Sequence, residues 1–348
     1  MGVRNKFLFN FAASYLGGGF KRLYEYAKWF DRNGGAWFVI HPHRASLVQE
    51  FPNVRFFVVD QPRAQRVFND CAYLAGIERE IGRPDFYYSY GIPIYAPVGR
   101  LNWFHLSNVL PLGARGISLP LATRLTSAFL GWRIMSHLHH ADVISAESQA
   151  SLDLLDPRYA DRLFLSVNGS DDELAYLEEL RQGRAATVPD AIATLLGTFS
   201  YKRIQDSWQV FDLLRRTHPG LKLVIIGNAD AVPAAVRQDP DVVLTGILTR
   251  RELVDWLRRT MYYISTTQIE NSYNAAAEGI VFAAESYISD IGPHRELIAG
   301  VPHERISVPH VARPLIHVRR RDLSDIQLQS WDAVITGMVA HMWDTIRA

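Results

Sequence analysis

Two glutamates eight positions apart, Glu270 and Glu278, stand in the most informative stretch of the chain, Thr266 to Leu297, TTQIENSYNAAAEGIVFAAESYISDIGPHREL. An expected strand, YYISTT at 262–267, leads into it. A helix starting near Asn271 would put one carboxylate in the loop before its first turn and the other about two turns along. The first amides of such a helix have no intrahelical partners and point into the same space, which is how helix starts bind phosphate. A carboxylate accepts two hydrogen bonds from adjacent hydroxyls, so one glutamate suits a sugar and the other a ribose diol, with phosphates between them. The plain alternative, two solvated residues on a helix face, is what the spacing alone favours.

Two phosphates in a desolvated crevice need compensating charge. The stretch LLGTFSYKRIQDSWQVF offers Gly197 at the end of an expected strand, then Lys202 and Arg203 before a helix. Either cation fits, depending on how the loop is set; solvation of a loop is the alternative. In the first half, NWFHLSNVLPL places His105 at a strand end, and Gly17-Gly18-Gly19 follows the first strand without the spacing of a dinucleotide fingerprint. Of the other histidines, those in HPH and SHLHHAD show no ordered ligand spacing. Asp239-Pro240-Asp241 is a carboxylate pair of the type that holds a divalent ion, but it precedes a strand instead of following one, so no metal is expected.

These segments together resemble the retaining glycosyltransferases of family 4, whose signature is a glutamate, seven residues and a second glutamate after a strand. Glu270 and Glu278 match its ends, and Asn274 falls where many relatives have asparagine. Asn271-Ser272-Tyr273 replaces the glycines usual after the first glutamate, and Thr198 the arginine usual after the glycine turn. Gly197, Lys202 and Arg203 are similar to the family's turn and diphosphate-binding base. Gly246-Ile247-Leu248, followed by Arg250, is similar to the loop that holds the nucleobase through main-chain groups, a contact that leaves the base unspecified. The resemblance implies that His105 lies near the transferred sugar and that the glycine loop around Gly18 lies against donor phosphate or acceptor. It also implies a metal-independent transferase that retains anomeric configuration. Glu270 would orient donor hydroxyls and Glu278 hold ribose, with no cofactor beyond a nucleotide-diphosphate sugar as substrate.

The elements that must position these residues alternate along the chain. Short apolar runs at 7–11, 36–40, 54–60, 85–91, 101–107, 142–147 and 162–167 read as buried parallel strands separated by helices. A polar stretch, 173–191, reads as a linker between an acceptor-binding domain at 1–172 and a donor domain at 192–322. In the second domain, strands at IATLLGTF, LKLVIIG, DVVLTGI and YYISTT alternate with helices. The expected fold is therefore α/β, two Rossmann-like domains facing across a cleft in the GT-B manner. Apolar residues at three- and four-residue steps from Leu328 to Trp343 predict a terminal amphipathic helix, 323–348, crossing back to the first domain.

With 348 residues, 48% apolar and 21% charged, the chain has room for two cores. A net charge of +1 asks for no nucleic acid. The single cysteine, Cys71, and the absence of a secretory leader or a long apolar run point to the cytoplasm. The Asn168-Gly169-Ser170 sequon is accidental there, and Arg319-Arg320-Arg321 reads as a solvated cluster. TRLTSAFLGWRIMSHLHH reads as a buried amphipathic helix, with peripheral contact to the inner face of a membrane as the alternative. Family habit suggests surface-polysaccharide synthesis with a glycan or lipid-linked acceptor. A sugar-nucleotide epimerase or hydrolase of the same architecture, or a non-catalytic carbohydrate-binding relative, are the alternatives.

Overall fold

The computed structural model describes residues 6–14, 17–60, 71–114, 116–117, 119–185 and 188–347. Residues 1–5, before the first strand, and 186–187, within the expected linker, lie outside the described residues, as does the Cys71 side chain. The chain divides into two compact units, one drawn from 1–114, 121–169 and 331–348, the other from 115–120 and 170–330.

The first unit carries strands β1 Phe7–Asn10, β2 Trp37–Ile40, β3 Arg55–Val58, β4 Phe86–Tyr90, β5 Leu101–Leu106, β6 Val143–Ala146 and β7 Leu163–Leu165. They form one parallel sheet in the order β3-β2-β1-β4-β5-β6-β7. Its helices are α1 Gly17–Asn33, α2 Leu47–Glu50, α3 Cys71–Ile81, α4 Leu110–Gly113, α5 Leu121–His137 and α6 Gln149–Leu152, and the C-terminal helix Trp331–Arg347 joins them. The strands are nearly continuous apolar and aromatic runs because a parallel sheet is covered on both faces. Every residue of β4 and β5 is buried.

One core packs Phe7, Phe9, Phe11, Tyr88 and Trp103 of this sheet against Tyr26 and Phe30 of α1 and against the C-terminal helix. That helix buries Trp331, Val334, Ile335, Met338 and Met342, steps of three and four residues that form one face. Gly169 is backed directly onto the Trp331 ring, leaving no room for a side chain. α5 departs from the expected buried amphipathic helix: it buries Ser127, Gly131 and Ile134 and leaves Leu121, Leu125, Phe129 and Trp132 exposed.

The second unit repeats the design with β8 Ile192–Leu196, β9 Lys222–Ile226, β10 Val242–Gly246, β11 Tyr262–Ser265, β12 Glu285–Ser289, β13 Glu304–Ile306 and β14 Leu315–Arg319. The order is β10-β9-β8-β11-β12-β14-β13, parallel except for β14, which runs antiparallel to both neighbours. Helices α7 Asp171–Arg181, α8 Ile204–Thr217, α9 Ala234–Arg237, α10 Arg250–Arg258, α11 Asn274–Phe282 and α12 Gly292–Leu297 complete it. The polar stretch read as a linker thus opens inside α7. Three acidic residues in its first turn suit the positive helix end, and Tyr176 and Leu177 are buried on one side. Both units are Rossmann-like, each sheet reversing direction of growth beside its first strand.

Candidate functional site

In a parallel sheet of this kind, ligands bind beyond the carboxyl ends of the strands where the strand order reverses. In the second sheet that point lies between β8 and β11. The two loops that leave these strands, 197–203 and 266–273, are hydrogen-bonded to each other. The Thr266 hydroxyl donates to the carbonyls of Lys202 (3.2 Å) and Arg203 (2.9 Å). The Gln268 amide donates to the Tyr201 carbonyl at 2.8 Å. This lacing brings the Lys202 ammonium into an ion pair with Glu270 Oε1, both side chains largely buried.

Gly197 turns the chain out of β8 with φ of 81°, a left-handed conformation that favours glycine, and its open side faces the Lys202 stem. Arg203 is itself left-handed, at φ 55°, and begins α8. Its guanidinium turns back to bind Asp206 through Nε at 3.1 Å and Nη2 at 2.9 Å. Of the two cations between which the sequence left the choice, Lys202 is therefore the one that meets the acidic residue.

Glu278 sits elsewhere in the charge pattern. Helix α11 begins at Asn274 instead of near Asn271, so Glu278 lies one turn into it and not two, while Asn271, Ser272 and Tyr273 form the preceding loop. Its Oε1 accepts from Arg250 Nη1. Arg250 also binds Asp172 at 2.7 Å and Glu173 at 3.2 Å, joining α7, α10 and α11. Three carboxylates around one half-buried guanidinium hold Arg250 protonated against the cost of its burial. The α11 axis is fixed from beneath: Gly279 lies against the Tyr263 ring of β11, where a β-carbon would fall inside the ring. Burial, then the charges of Glu278 and Glu270, push the Tyr263 phenol well up.

This contact gives a stability prediction. Gly279→Ala should cost about 1–3 kcal/mol, the range for overpacking a core, measured as a fall in the denaturant midpoint. Stability unchanged within 0.5 kcal/mol, the usual scatter of neutral substitutions (roughly ±0.5), would show that α11 is free to shift.

Some site residues escaped the sequence reading. His294, buried at the start of α12, places Nδ1 2.8 Å from the Ser289 carbonyl; a carbonyl only accepts, so Nδ1 carries the proton. Burial lowers its pKa to about 4, with Lys202 acting in the same direction and the charge of Glu270 opposing. A neutral imidazole therefore stands within electrostatic reach of the Lys202–Glu270 pair. The roles of Thr266 and Tyr201 were missed as well, and Arg250 was noted only as following the nucleobase loop.

The expected nucleobase loop, Gly246-Ile247-Leu248, leaves the carboxyl end of β10. Gly246 is left-handed at φ 73° with open space on its side-chain face, and Ile247 is 82% exposed. The Gly227 amide donates to the Gly246 carbonyl at 3.0 Å, and Thr198 lies against Gly227, so the ends of β8, β9 and β10 meet there. Asp239 and Asp241 lie at the other end of the sheet. Asp239 binds Trp208 and Arg215, and Asp241 binds Lys222 at 2.6 Å.

In the first unit, the strand-terminal position expected to expose His105 does not do so. The ring has no accessible surface, because Tyr90 stacks on it at 5.0 Å and 11°. Its Nδ1 lies 2.8 Å from Ser145 Oγ, which accepts from Trp103 Nε1, and its Nε2 lies 3.5 Å from Glu147. Arg22, also fully buried, completes the cluster through Tyr26, Ser166, Val167 and Asn168. Burial, then the charge of Arg22, lower the His105 pKa to about 4. Gly18 is exposed in the first turn of α1.

No protein-family model and no curated protein matches this sequence. Solved structures do. The Anabaena protein HepE, in complex with UDP and glucose, shares 16% identity and superposes with a TM-score of 0.56 over 84% of this chain and 83% of its own. WaaG, a glycosyltransferase involved in lipopolysaccharide biosynthesis, shares 12% identity at a TM-score of 0.58, over 84% of each chain. Sucrose-phosphate synthase from Thermosynechococcus elongatus gives 0.65 at 10% identity, covering 99% of this chain and 100% of that one. The chain therefore has the two-domain GT-B fold seen in those glycosyltransferases.

Proposed function

We propose that the protein is a metal-independent, retaining glycosyltransferase of the family 4 type, taking a nucleotide-diphosphate sugar at the carboxyl ends of β8 and β11. The observation that carries this is the Lys202–Glu270 pair at the point where the second sheet reverses. A diphosphate is a stronger partner for an ammonium than one carboxylate is, so donor binding draws Lys202 onto phosphate and frees Glu270 for sugar hydroxyls. The first amides of α11, from Asn274 on, supply further charge to the phosphates. Arg203, tied to Asp206, serves the loop's shape and not the phosphates.

In the reaction, the bond from the anomeric carbon to the distal phosphate breaks as a bond to the acceptor hydroxyl forms on the same face. The hydroxyl proton passes to the departing phosphate oxygen. Lys202 and the helix start stabilise the charge that grows on that phosphate, and this is where most of the acceleration arises. The free carboxylate oxygen of Glu278 is assigned to the ribose, with Arg250 holding the side chain in place. Main-chain groups of Gly246-Ile247-Leu248 take the base. His105 is given a structural role in its own unit. The first unit is left to select a glycan or lipid-linked acceptor, and the product belongs to bacterial surface polysaccharide.

Incubation with UDP-, GDP- and dTDP-sugars, with and without acceptor glycans, tests this. One nucleoside diphosphate should raise the melting temperature by about 5–10 °C, since a hundredfold excess over Kd is worth about 2.7 kcal/mol. Acceptor-dependent product should follow. Turnover of donor alone would make the protein an epimerase or hydrolase, and binding with no turnover a carbohydrate-binding relative.

A further inference from the structure

Helix α5 is packed the wrong way round for a helix of a globular core. Ser127, Gly131 and Ile134 face the body of the first unit, while Leu121, Leu125, Phe129 and Trp132 are 66%, 62%, 38% and 60% exposed. At about 100° per residue, these four lie within an arc of about 80°, and the three buried residues occupy the opposite side. The small residues are what let the helix sit so close: a β-carbon on Gly131 would collide with the Pro111 carbonyl. The orientation is thus set by backbone contact, and the apolar stripe is turned outward by construction. Phe129 and Trp132 lie side by side on it, their rings 5.8 Å apart.

The charges on the helix itself are of one sign. Arg124 and Arg133 flank it, one on each side by the same angular count. Neither aspartate nor glutamate occurs anywhere from residue 86 to residue 141. A chain with nearly equal numbers of acidic and basic residues, 36 and 37, has kept this segment free of carboxylates. Leucine and aromatic side chains along one face, with cations at the margins and no acid, match an anionic bilayer, whose interface accepts the aromatics while its headgroups attract the arginines. No helix among the described residues is long and apolar enough to cross a membrane, so the contact lies in the interface plane.

We propose that α5 docks the protein on the surface of an anionic lipid bilayer through Leu121, Leu125, Phe129 and Trp132, with Arg124 on phosphate headgroups and Arg133, half-buried over the Tyr95 ring, at the opposite margin. This stands on the first unit alone and does not rest on the donor reading. The test is co-sedimentation of the full chain with phosphatidylcholine vesicles, alone or with roughly a third phosphatidylglycerol. The protein should bind the anionic vesicles at least tenfold more tightly than the neutral ones. Leu125→Glu and Trp132→Glu should each weaken binding at least tenfold, and Arg124→Gln about fivefold, the worth of one surface cation. Each variant should keep the wild-type circular dichroism and melting temperature. Equal binding to both vesicles, no binding to either, or variants that bind as well as wild type would overturn the proposal. So would a wild-type dimer that Leu125→Glu makes monomeric, because the stripe would then cover a second copy of the chain.

Discussion

Lys202→Ala should lower kcat/KM by about 10²–10³, corresponding to about 3–4 kcal/mol of lost charge stabilisation in the transition state. It should also abolish the melting shift produced by the nucleoside diphosphate. Glu270→Gln should divide these readouts. The diphosphate contact survives, so the shift remains, while turnover falls by a similar factor because the sugar loses the acceptor that orients it. Lys202→Arg should restore binding in part, since the guanidinium brings charge but not the reach of an ammonium set by Gly197 and the Thr266 clamp. Arg203→Ala should cost less than about tenfold, its guanidinium being committed to Asp206. The reading fails if Lys202→Ala turns over donor at the wild-type rate, or if Arg203→Ala proves the more damaging of the two.

The architecture was legible because its signals are local. Apolar runs of four to six residues between glycines give parallel strands, and the spacing from Trp331 to Met342 gives the terminal helix from side-chain periodicity alone. Periodicity fails where the protein uses it for something other than a core. In α5 the apolar stripe is real, but the pattern does not reveal that Ser127 and Gly131 make the inner face. The site divides in the same way. Glu270 and the cation at 202 or 203 were visible as types in the right loops. Choosing Lys202 required hydrogen bonds spanning more than sixty positions, from Thr266 and Gln268 to the 200–203 turn. His294 gave no signal, because a histidine after Gly-Pro carries no spacing of its own; only the folding of α12 onto the Ser289 carbonyl puts it near Glu270. His105 shows the reverse. Its position at a strand end was read correctly, yet a residue in a strand buried throughout cannot be told from an exposed one by position alone.

Acidification should destabilise both units before any carboxylate is fully protonated, and the two buried histidines set the window. His105 and His294 titrate near 4 in the folded chain, against about 6.5 when unfolded. Between those values the unfolded state binds a proton that the folded state refuses, so stability rises with pH and is lost as pH falls from about 6.5 towards 4. Each pKa unit is worth about 1.4 kcal/mol, so by pH 4.5 each unit should lose about 2–3 kcal/mol relative to pH 7.5. Below that, Glu147 adds to the loss in the first unit. Burial alone would raise its carboxyl, but the His105 ring and Arg22 hold it below its ordinary value. Arg22, fully buried, then faces a neutral partner. Denaturant unfolding followed from pH 7.5 to 4.5 should show this slope, resolved by unit if the two melt separately. His105→Asn, which can keep a hydrogen bond to Ser145, should flatten the slope for the first unit, and His294→Asn for the second, whatever either does to absolute stability. A slope that persists in the double variant would mean that other groups govern the acid transition and that these two rings are already protonated in the native state.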